Sequence, residues 1–464
     1  MFRHKGGSPA VKSYRSQLRS AIAKFLPHQG LPLLGEDRRV RWSDRLLTIM
    51  AIMICWNGSR TLLDRFAAGR QSLVEMYVSR RRPGGSVEGF FKALVGRSEI
   101  VLATLSLHWR SCLRQIAGKH WKTNGWVLFG VDGSRFDCPR TVANEKHFGV
   151  TGKNNSGPQL LVTCLFHVGC GVLWSWMRGG ITGDGETTQF MNMLHLLPQN
   201  AMLLADAGFA GYRMMAALHE RGNSFLIRVG ANRTLIHKLG YYVLENKQTV
   251  YLWPLEMQSR GGGKNRRFMP RNLSKVRPPL VLRLIELIDA KGRPVCLLTN
   301  VLDKKLLSDH AAGNFYRKRW GIEVMWRDLK QTLSHCKLLS KTPQRVEVEL
   351  DWALAGLWML QLLGISQIVG SKGTPKEIST AATLRTLRTA MTAKPGRRRK
   401  TLTEQLSIAI KDKYIRKGPK SRRPGPSKRG QQPPKRPVAR MATTLEKRLI
   451  LRIIEQKKRN SLAA

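Results

Sequence analysis

The pattern of apolar and polar residues changes along the chain, and the change separates two kinds of structure. From about Ser13 to His120, apolar residues recur every three or four positions, which is the spacing of one face of an α-helix. From Trp126 onward, short apolar runs alternate with breaks that contain glycine or proline, as in buried strands joined by turns. The first region is therefore predicted to be helical, and the second is predicted to contain a sheet.

The apolar runs after Trp126 alternate with helical segments in a definite order. The pattern predicts three strands, a helix, a strand, a helix and a strand, with the first helix ending before Pro198 and the second at Gly222. This is a ribonuclease-H-like order, in which central parallel strands are covered by helices. We therefore predict an α/β fold with a ribonuclease-H-like core, whose first and fourth strands lie side by side.

Further strand-like runs follow between about residues 231 and 295, around a basic glycine-rich loop, and they predict an inserted β domain. A helical N-terminal domain precedes the core. The predicted divisions are a helical domain at 1–122, a ribonuclease-H-like core at 123–345 with the insertion at about 231–295, a helical C-terminal part at 346–392, a basic disordered linker at 393–440 and a terminal helix at 441–464.

One apolar stretch, Trp352–Gly370, is just long enough to cross a bilayer. It contains Gln361, Ser366 and Gln367, and it directly follows Asp351. These polar residues favour a buried helix of a soluble protein over a membrane span. No membrane partner is predicted.

The charge of the chain predicts a polyanionic partner. Lys and Arg number 80 and Asp and Glu number 30, which gives a formal net charge of +50. Neutralising phosphates with release of their counterions supplies most non-specific affinity for nucleic acid, so nucleic acid is the favoured partner and an anionic membrane surface is the alternative. The basic faces of the N-terminal helices suit duplex DNA, although solvated charge explains them equally well.

The cysteines and the first residues bear on location. The seven cysteines are odd in number and scattered, without a paired metal-binding motif, which predicts free thiols in a reducing cytoplasm. The basic N-terminal residues have no apolar run behind them, so no secretory signal is predicted. We expect a cytoplasmic protein associated with the nucleoid.

Two acids stand out because each directly follows an apolar strand. Asp132 follows VLFGV and Asp206 follows MLLA, at the strand ends where ligands gather in an open α/β sheet. If the first and fourth strands are neighbours, the two carboxylates meet at one edge of the sheet. Alternatively, Asp132 forms a turn with Gly133, and Asp206 caps the helix that follows it.

A third acid lies in a stripe of functional side chains. At about 100° per residue, a single helix would hold Tyr316, Arg319, Glu323 and Lys330 within a sector of roughly 60°. One acid between two cations and a phenol suits a carboxylate that holds a metal beside DNA phosphates. Alternatively, Glu323 pairs with Arg319 or Arg327 at the surface, and Tyr316 packs within the helix core.

Three carboxylates suit phosphodiester chemistry with two divalent cations. One cation activates water or a 3′-hydroxyl, and the other stabilises the leaving oxygen. Hard cations prefer oxygen ligands, so the predicted cofactor is Mg²⁺, for which Mn²⁺ can substitute.

The spacing of the stripe is also a family signature. The chain has Tyr, two residues, Arg, three residues, Glu, six residues and Lys, and it resembles the bacterial insertion-sequence transposases of the DDE type, in particular the insertion-sequence-four family. The resemblance covers about Val127 to Lys330. It implies that the metal ligands are Asp132, Asp206 and Glu323, and that the residues holding backbone phosphates are Tyr316, Arg319 and Lys330.

The resemblance also implies partners and a reaction. The protein would act as a homodimer on double-stranded DNA, cleaving at the inverted repeats of its element and transferring the 3′-hydroxyl to target DNA. Trp253 would stack on a flipped base, although ordinary packing in a β domain explains it as well, and Trp320 is expected to pack the helix. The alternatives are a metal-dependent nuclease without strand transfer, or a non-catalytic protein that packages nucleic acid through charge alone.

Overall fold

The computed structural model describes residues 13–27, 41–77, 82–150, 157–180, 185–230, 242–243, 248–252, 279–289, 292–392 and 400–411, with 440–441, 444, 448, 451–452 and 455. Trp253 and most of the predicted basic linker and terminal helix lie outside the described residues. Contacts divide the chain into two units. Unit 1 comprises Met1–Thr123, Gly133–Gly185 and Gly321–Ile415, and unit 2 comprises Asn124–Asp132, Glu186–Trp320 and Arg416–Ala464.

Both units contain helices and strands, so the fold is mixed α/β, as predicted. The helices are α1 (Tyr14–Ala23), α2 (Asp44–Trp56), α3 (Leu62–Met76), α4 (Val87–Ala117), α5 (Val142–Phe148), α6 (Glu186–Met193), α7 (Tyr212–Glu220), α8 (Asp309–Lys318), α9 (Trp320–Arg327), α10 (Pro343–Gly370), α11 (Thr380–Thr392) and α12 (Leu402–Ser407). The strands are β1 (Val127–Asp137), β2 (Gln159–His167), β3 (Val172–Gly180), β4 (Ala201–Ala205), β5 (Ser224–Val229), β6 (Tyr242–Val243), β7 (Thr249–Leu252), β8 (Leu280–Ile288), β9 (Pro294–Thr299) and β10 (Arg440–Met441).

Local sequence sets the start of many helices. A Ser or Thr side chain accepts a hydrogen bond from a backbone N–H of the first turn, which satisfies a donor that the helix itself leaves unpaired. The residues that cap helices in this way are Ser13, Ser43, Thr61, Ser86, Thr141, Ser308 and Thr401. The helices predicted between Ser13 and His120 are α1 to α4, which lie in unit 1.

The core of unit 1 is built around α10, the apolar stretch whose burial was predicted. This helix is long and apolar enough to cross a membrane, but 78% of its most apolar window is buried inside the protein. The α2 helix approaches it closely: Trp56 Nε1 donates to the carbonyl of Gly356 at 2.9 Å, and a Cβ on Gly356 would collide with Cys55. The α4 helix packs against it through Trp109 and Trp358, with ring centroids 5.3 Å apart.

Unit 1 also contains the predicted pair of strands around a glycine turn. The β2 and β3 strands pair in antiparallel register, from Leu160 opposite Gly180 to His167 opposite Val172. Gly171, in the turn, has φ of +72°, a conformation that side chains with a Cβ rarely adopt.

The sheet of unit 2 has the strand order β10-β6-β7-β8-β9-β5-β4-β1. The β1, β4 and β5 strands pair in parallel, which confirms the prediction that the first and fourth strands are neighbours. The α7 helix connects β4 to β5, as parallel pairing requires. The described strands of the predicted insertion extend this sheet, because β7 pairs with β8 and β8 with β9. A separate inserted domain remains a prediction.

Two histidines are buried in unit 1 and are held neutral there. His335 Nε2 lies 3.1 Å from the carbonyl oxygen of Cys55, and His167 Nδ1 accepts a hydrogen bond from the backbone N–H of Cys170. Burial lowers the pKa of each histidine from 6.5 to about 4. The positive charges of Arg65 and Arg388 lower the pKa of His335 further.

We therefore expect the protein to lose stability as the pH falls from 6.5 toward about 4. In this window the unfolded chain binds protons at His167 and His335 while the folded chain does not, so each histidine contributes a slope of about 1.4 kcal/mol per pH unit. Urea unfolding across this pH range measures the slope. His335→Asn should reduce it by about one histidine's share, and an unchanged slope in that variant would contradict the account.

Candidate functional site

Asp132 lies within β1, and Asp206 directly follows β4, the parallel neighbour of β1 in unit 2. The pairing of β1 with β4 ends with Gly130 opposite Leu204, and continuing this register by two residues on each strand brings Asp132 opposite Asp206. Neighbouring strands lie about 4.8 Å apart. Both acids are half-buried. The register therefore places the two carboxylates side by side in unit 2, although Asp132 does not end its strand as the sequence predicted. That the two acids form one site remains a prediction.

The structure decides between the local alternatives that the sequence left open for each acid. The β1 strand does not end at Asp132 but continues to Asp137, so the acid does not form a turn with Gly133. Asp206 does act as a cap, but for the short 3-10 turn Ala207–Phe209, with Oδ1 accepting from the N–H of Gly208 at 2.6 Å. The N-cap of α7 is Gly211. Capping the short turn fixes the Asp206 carboxylate at the end of its strand.

Asp206 and two arginines lie near Tyr316. Burial raises the pKa of Tyr316, and the negative charge of Asp206 raises it further, whereas Arg319 and Arg228 lower it. The guanidinium carbon of Arg319 is 5.7 Å from the Tyr316 ring centroid. The Tyr316 hydroxyl is buried and makes no direct hydrogen bond of good geometry within the described residues. The phenol and the guanidinium groups thus form a cationic, hydrogen-bonding surface beside the carboxylate.

Arg228 is a candidate functional residue that sequence reasoning missed. It lies in β5, within the otherwise apolar run SFLIRVG. A charged residue in such a run normally has a functional or structural partner, and this signal was present in the sequence.

These residues line a cleft of about 560 Å³ in unit 2. Its walls combine three arginines, a histidine and two aspartates with aromatic and aliphatic groups. The lining residues are Arg228, Arg317, Arg319, His310, Asp289, Asp309, Tyr316, Trp320, Leu287, Ile288, Val295 and Gly313. Trp320 is 63% exposed, so the expectation that it packs the helix was wrong. A cationic cleft with an exposed indole suits a nucleic-acid strand, whose phosphates and base faces bind these two kinds of group.

The single helix predicted between Tyr316 and Lys330 was also wrong. The α8 helix ends at Lys318, Arg319 lies between helices, and α9 ends at Arg327. A π-helical turn then spans Asp328–Thr332, a form that is rare and frequent at functional sites. The predicted stripe is accordingly divided, with Tyr316 and Arg319 in unit 2 and Glu323 and Lys330 in unit 1.

Within unit 1, Glu323 and Asp328 have different environments. Glu323 is half-buried in the first turn of α9, where the helix dipole favours an acid. Asp328 is engaged structurally, because its Oδ2 accepts a 2.5 Å hydrogen bond from Thr380 and its Oδ1 lies 3.7 Å from Arg327. These contacts agree with the choice of Glu323 over Asp328.

Lys330 is tied to the end of β1. Its Nζ donates to the carbonyl of Arg135 at 2.8 Å and lies 4.7 Å from the ring centroid of Phe136. Burial lowers the pKa of Lys330, while Asp137 and Cys336 raise it. The π-helical turn and these contacts therefore hold a cation against Arg135 and Phe136 within unit 1.

Residues 131–360 match the family model of the transposase DDE domain. The chain belongs to the DDE transposases, in the insertion-sequence-four family. It is 25% identical over 297 residues to "Transposase InsG for insertion sequence element IS4" of Escherichia coli (strain K12), covering 60% of this chain and 62% of the relative. It is 23% identical over 199 residues to "Putative transposase for insertion sequence element IS4SA" of Synechocystis sp. (strain ATCC 27184 / PCC 6803 / Kazusa), covering 42% and 51%.

Among solved structures, the chain matches a piggyBac transposase synaptic complex with hairpin DNA, at a TM-score of 0.40 and 10% identity, covering 87% of this chain and 84% of that one. The region matched by the family model contains both strand-end acids, Glu323 and the whole of the Tyr, Arg, Glu and Lys signature.

The three predicted acids have the chemistry of a hard-cation site. Carboxylate oxygens suit Mg²⁺ and Mn²⁺, and Asp132 and Asp206 bring two such groups to one sheet edge. Within the described ranges, however, no three His, Cys, Asp or Glu side chains are grouped closely enough to hold one metal ion. The donor set fits a divalent cation, and the convergence of all three acids remains a prediction.

Proposed function

We propose that this chain is a DNA transposase that binds the ends of its mobile element, cleaves phosphodiester bonds at the element boundary and joins the freed 3′-hydroxyl to target DNA. The observation that carries the proposal is the register between β1 and β4, which aligns Asp132 with Asp206 inside the region matched by the DDE family model. Ribonuclease-H-like architecture is part of the proposal.

Asp132, Asp206 and Glu323 are proposed to hold divalent cations, Mg²⁺ or Mn²⁺. When bound, such cations activate the attacking hydroxyl and stabilise the leaving oxygen. The protein's own contribution is positioning. The Gly208 N–H orients Asp206, and the first turn of α9 carries Glu323.

The cations of the signature are proposed to hold the DNA backbone. Arg319 offers a planar fork that matches two phosphate oxygens, whereas Lys330 offers a single point charge. Tyr316 can donate its hydroxyl to a phosphate, and its raised pKa keeps it protonated for this purpose. Arg228 adds a further guanidinium close to Tyr316.

Aromatic residues are proposed to hold bases near the cleaved bond. Trp320 offers an exposed indole beside the arginines of the unit 2 cleft, and every base can stack on such a face. Trp253, outside the described residues, is proposed to stack on a flipped base. The protein is proposed to act in the cytoplasm, on the nucleoid, as a homodimer.

Strand transfer separates this proposal from a nuclease that uses the same site. The protein is incubated with Mg²⁺, a supercoiled plasmid and a labelled duplex that carries the element end. It should produce both cleaved ends and ends that are covalently joined to the plasmid. A duplex of scrambled sequence is the matched control and should give neither product. Cleaved ends without any joined product would replace the transposase with a nuclease.

A further inference from the structure

The last turns of α4 carry two arginines whose guanidinium groups converge on one buried aromatic ring. The guanidinium carbons of Arg110 and Arg114 lie 5.9 Å and 5.7 Å from the Trp174 ring centroid, and that of Arg114 also lies 5.6 Å from the Trp121 ring. Arginines four residues apart face the same side of a helix. Two like charges therefore share one aromatic platform.

Within the described residues, neither guanidinium forms an ion pair. Six carboxylates of unit 1 pair with other arginines: Glu75 with Arg15, Asp44 with Arg97, Glu88 with Arg345, Glu145 with Arg140, and Glu347 and Asp351 with Arg178. Burial lowers the pKa of Arg110, and the neighbouring charge of Arg114 lowers it further. Arg110 is half-buried and Arg114 is exposed. Holding a half-buried cation beside a second cation costs free energy that an anion would recover.

The platform beneath the arginines is rigid. Trp174 is 1% exposed in β3. Trp121 stacks on His167 with ring centroids 4.4 Å apart and planes at 22°, and His167 is fixed in turn by the backbone N–H of Cys170. Preorganised guanidinium groups lose little conformational entropy when they bind a ligand.

Further cations lie in the segment that follows α4. Lys119 and Lys122 are exposed in and after the turn that follows α4. The positive charge of Lys376 lowers the pKa of the Cys170 thiol. This thiol donates a hydrogen bond to the carbonyl of His120, which lies in the turn that follows α4. Such a surface attracts an extended polyanion rather than a single small anion.

We propose that Arg110 and Arg114 form a phosphate-binding site for the backbone of duplex DNA, separate from the residues assigned to cleavage. The inference rests on the proposed function for the identity of the polyanion. A planar guanidinium group can donate two parallel hydrogen bonds to two oxygens of a phosphate. An anionic membrane is less suitable, because Trp174, the aromatic ring that both arginines face, is buried in the protein. Phosphate contacts carry no sequence information, so the site holds element and target DNA alike.

The test compares the salt dependence of DNA binding between wild-type protein and Arg110→Gln/Arg114→Gln. Affinity for a 40-base-pair duplex, measured by fluorescence anisotropy without divalent cations, should fall less steeply with salt in the variant. The slope of log K against log salt should decrease by about 1.8, or about 0.9 for each lost phosphate contact, for element-end and scrambled duplexes equally. An unchanged slope would overturn the proposal.

The matched control is Arg140→Gln/Arg345→Gln, which removes the same charge from arginines already neutralised by Glu145 and Glu88. Its slope should stay close to that of wild type. This test measures DNA binding and not cleavage, so the two proposals can fail separately. If the slope decreases as expected in the variant but the wild-type protein never cleaves DNA, the transposase activity is rejected and the phosphate-binding site is retained.

A second measurement uses the unaltered protein and therefore does not depend on the folding of a variant. Phenylglyoxal should modify Arg110 and Arg114 in the free chain, and saturating duplex should protect both, as read by peptide mass spectrometry. Equal modification with and without duplex, or protection by phosphatidylglycerol vesicles alone, would overturn the proposal.

Discussion

Replacing Asp132, Asp206 or Glu323 by alanine is expected to abolish metal-dependent cleavage of element-end DNA while leaving DNA binding largely intact. Each acid is proposed to supply cation-binding oxygens, and the cations supply several kcal/mol of charge stabilisation in the transition state, so each loss should slow cleavage by about 10³-fold or more. Binding should persist, because most of the affinity of a chain with a net charge of +50 comes from phosphate contacts. Denaturing gels follow cleavage, and anisotropy follows binding.

Asp328→Ala is the matched control for Glu323→Ala. Asp328 lies five residues further along, but its carboxylate is engaged with Thr380 and Arg327, so its loss should spare the chemistry once folding is verified. Persistent cleavage in all three catalytic variants would reject the enzyme proposal and favour a packaging protein that acts through charge alone.

The strands and the two strand-end acids could be predicted because the signals that fix them are local. Apolar runs bounded by Gly222 or Pro198 indicate where elements stop, and the parallel pairing of β1 with β4 follows from their order and the intervening helices. A carboxylate directly after such a run is costly to bury without a partner. These signals led to the choice of Asp132 and Asp206 as candidate site residues, which remains a prediction.

Other features of the site depend on tertiary contacts that no local pattern records. Arg319 lies between α8 and α9 but has helical dihedral angles. Because of this, the apolar residues around it keep the period of one continuous helix. Trp320 is exposed although tryptophan is usually buried, because the cleft wall around it is formed by distant strands. The extension of β1 to Asp137 depends on partners such as Leu338, whose N–H donates to the Asp137 carbonyl.

The segment that follows Lys330 is fixed by a buried carboxylate on α10. Glu349 is 7% exposed, and its oxygens accept hydrogen bonds from the N–H of Leu339 at 3.0 and 3.1 Å and from the N–H of Ser340 at 2.8 Å. Burial raises the pKa of Glu349, and these hydrogen bonds lower it. The same segment reaches α2 through His335 and the carbonyl of Cys55. Glu349 thus holds the chain between the signature lysine and the buried helix of unit 1.

Glu349→Ala is therefore expected to lower the free energy of unfolding by about 3 kcal/mol, because it leaves two buried N–H donors without acceptors at about 1–3 kcal/mol each. Glu349→Gln should lose about half as much, since its amide oxygen can still accept one of these bonds. Urea unfolding at pH 7 measures both variants. Glu347→Ala is the control on the same helix. Glu347 pairs with His147 and Arg178, and such pairs near the surface contribute little to the free energy of unfolding. If Glu349→Ala is no less stable than Glu347→Ala, the carboxylate does not anchor this segment, and the position of Lys330 must be maintained by its own contacts with Arg135 and Phe136.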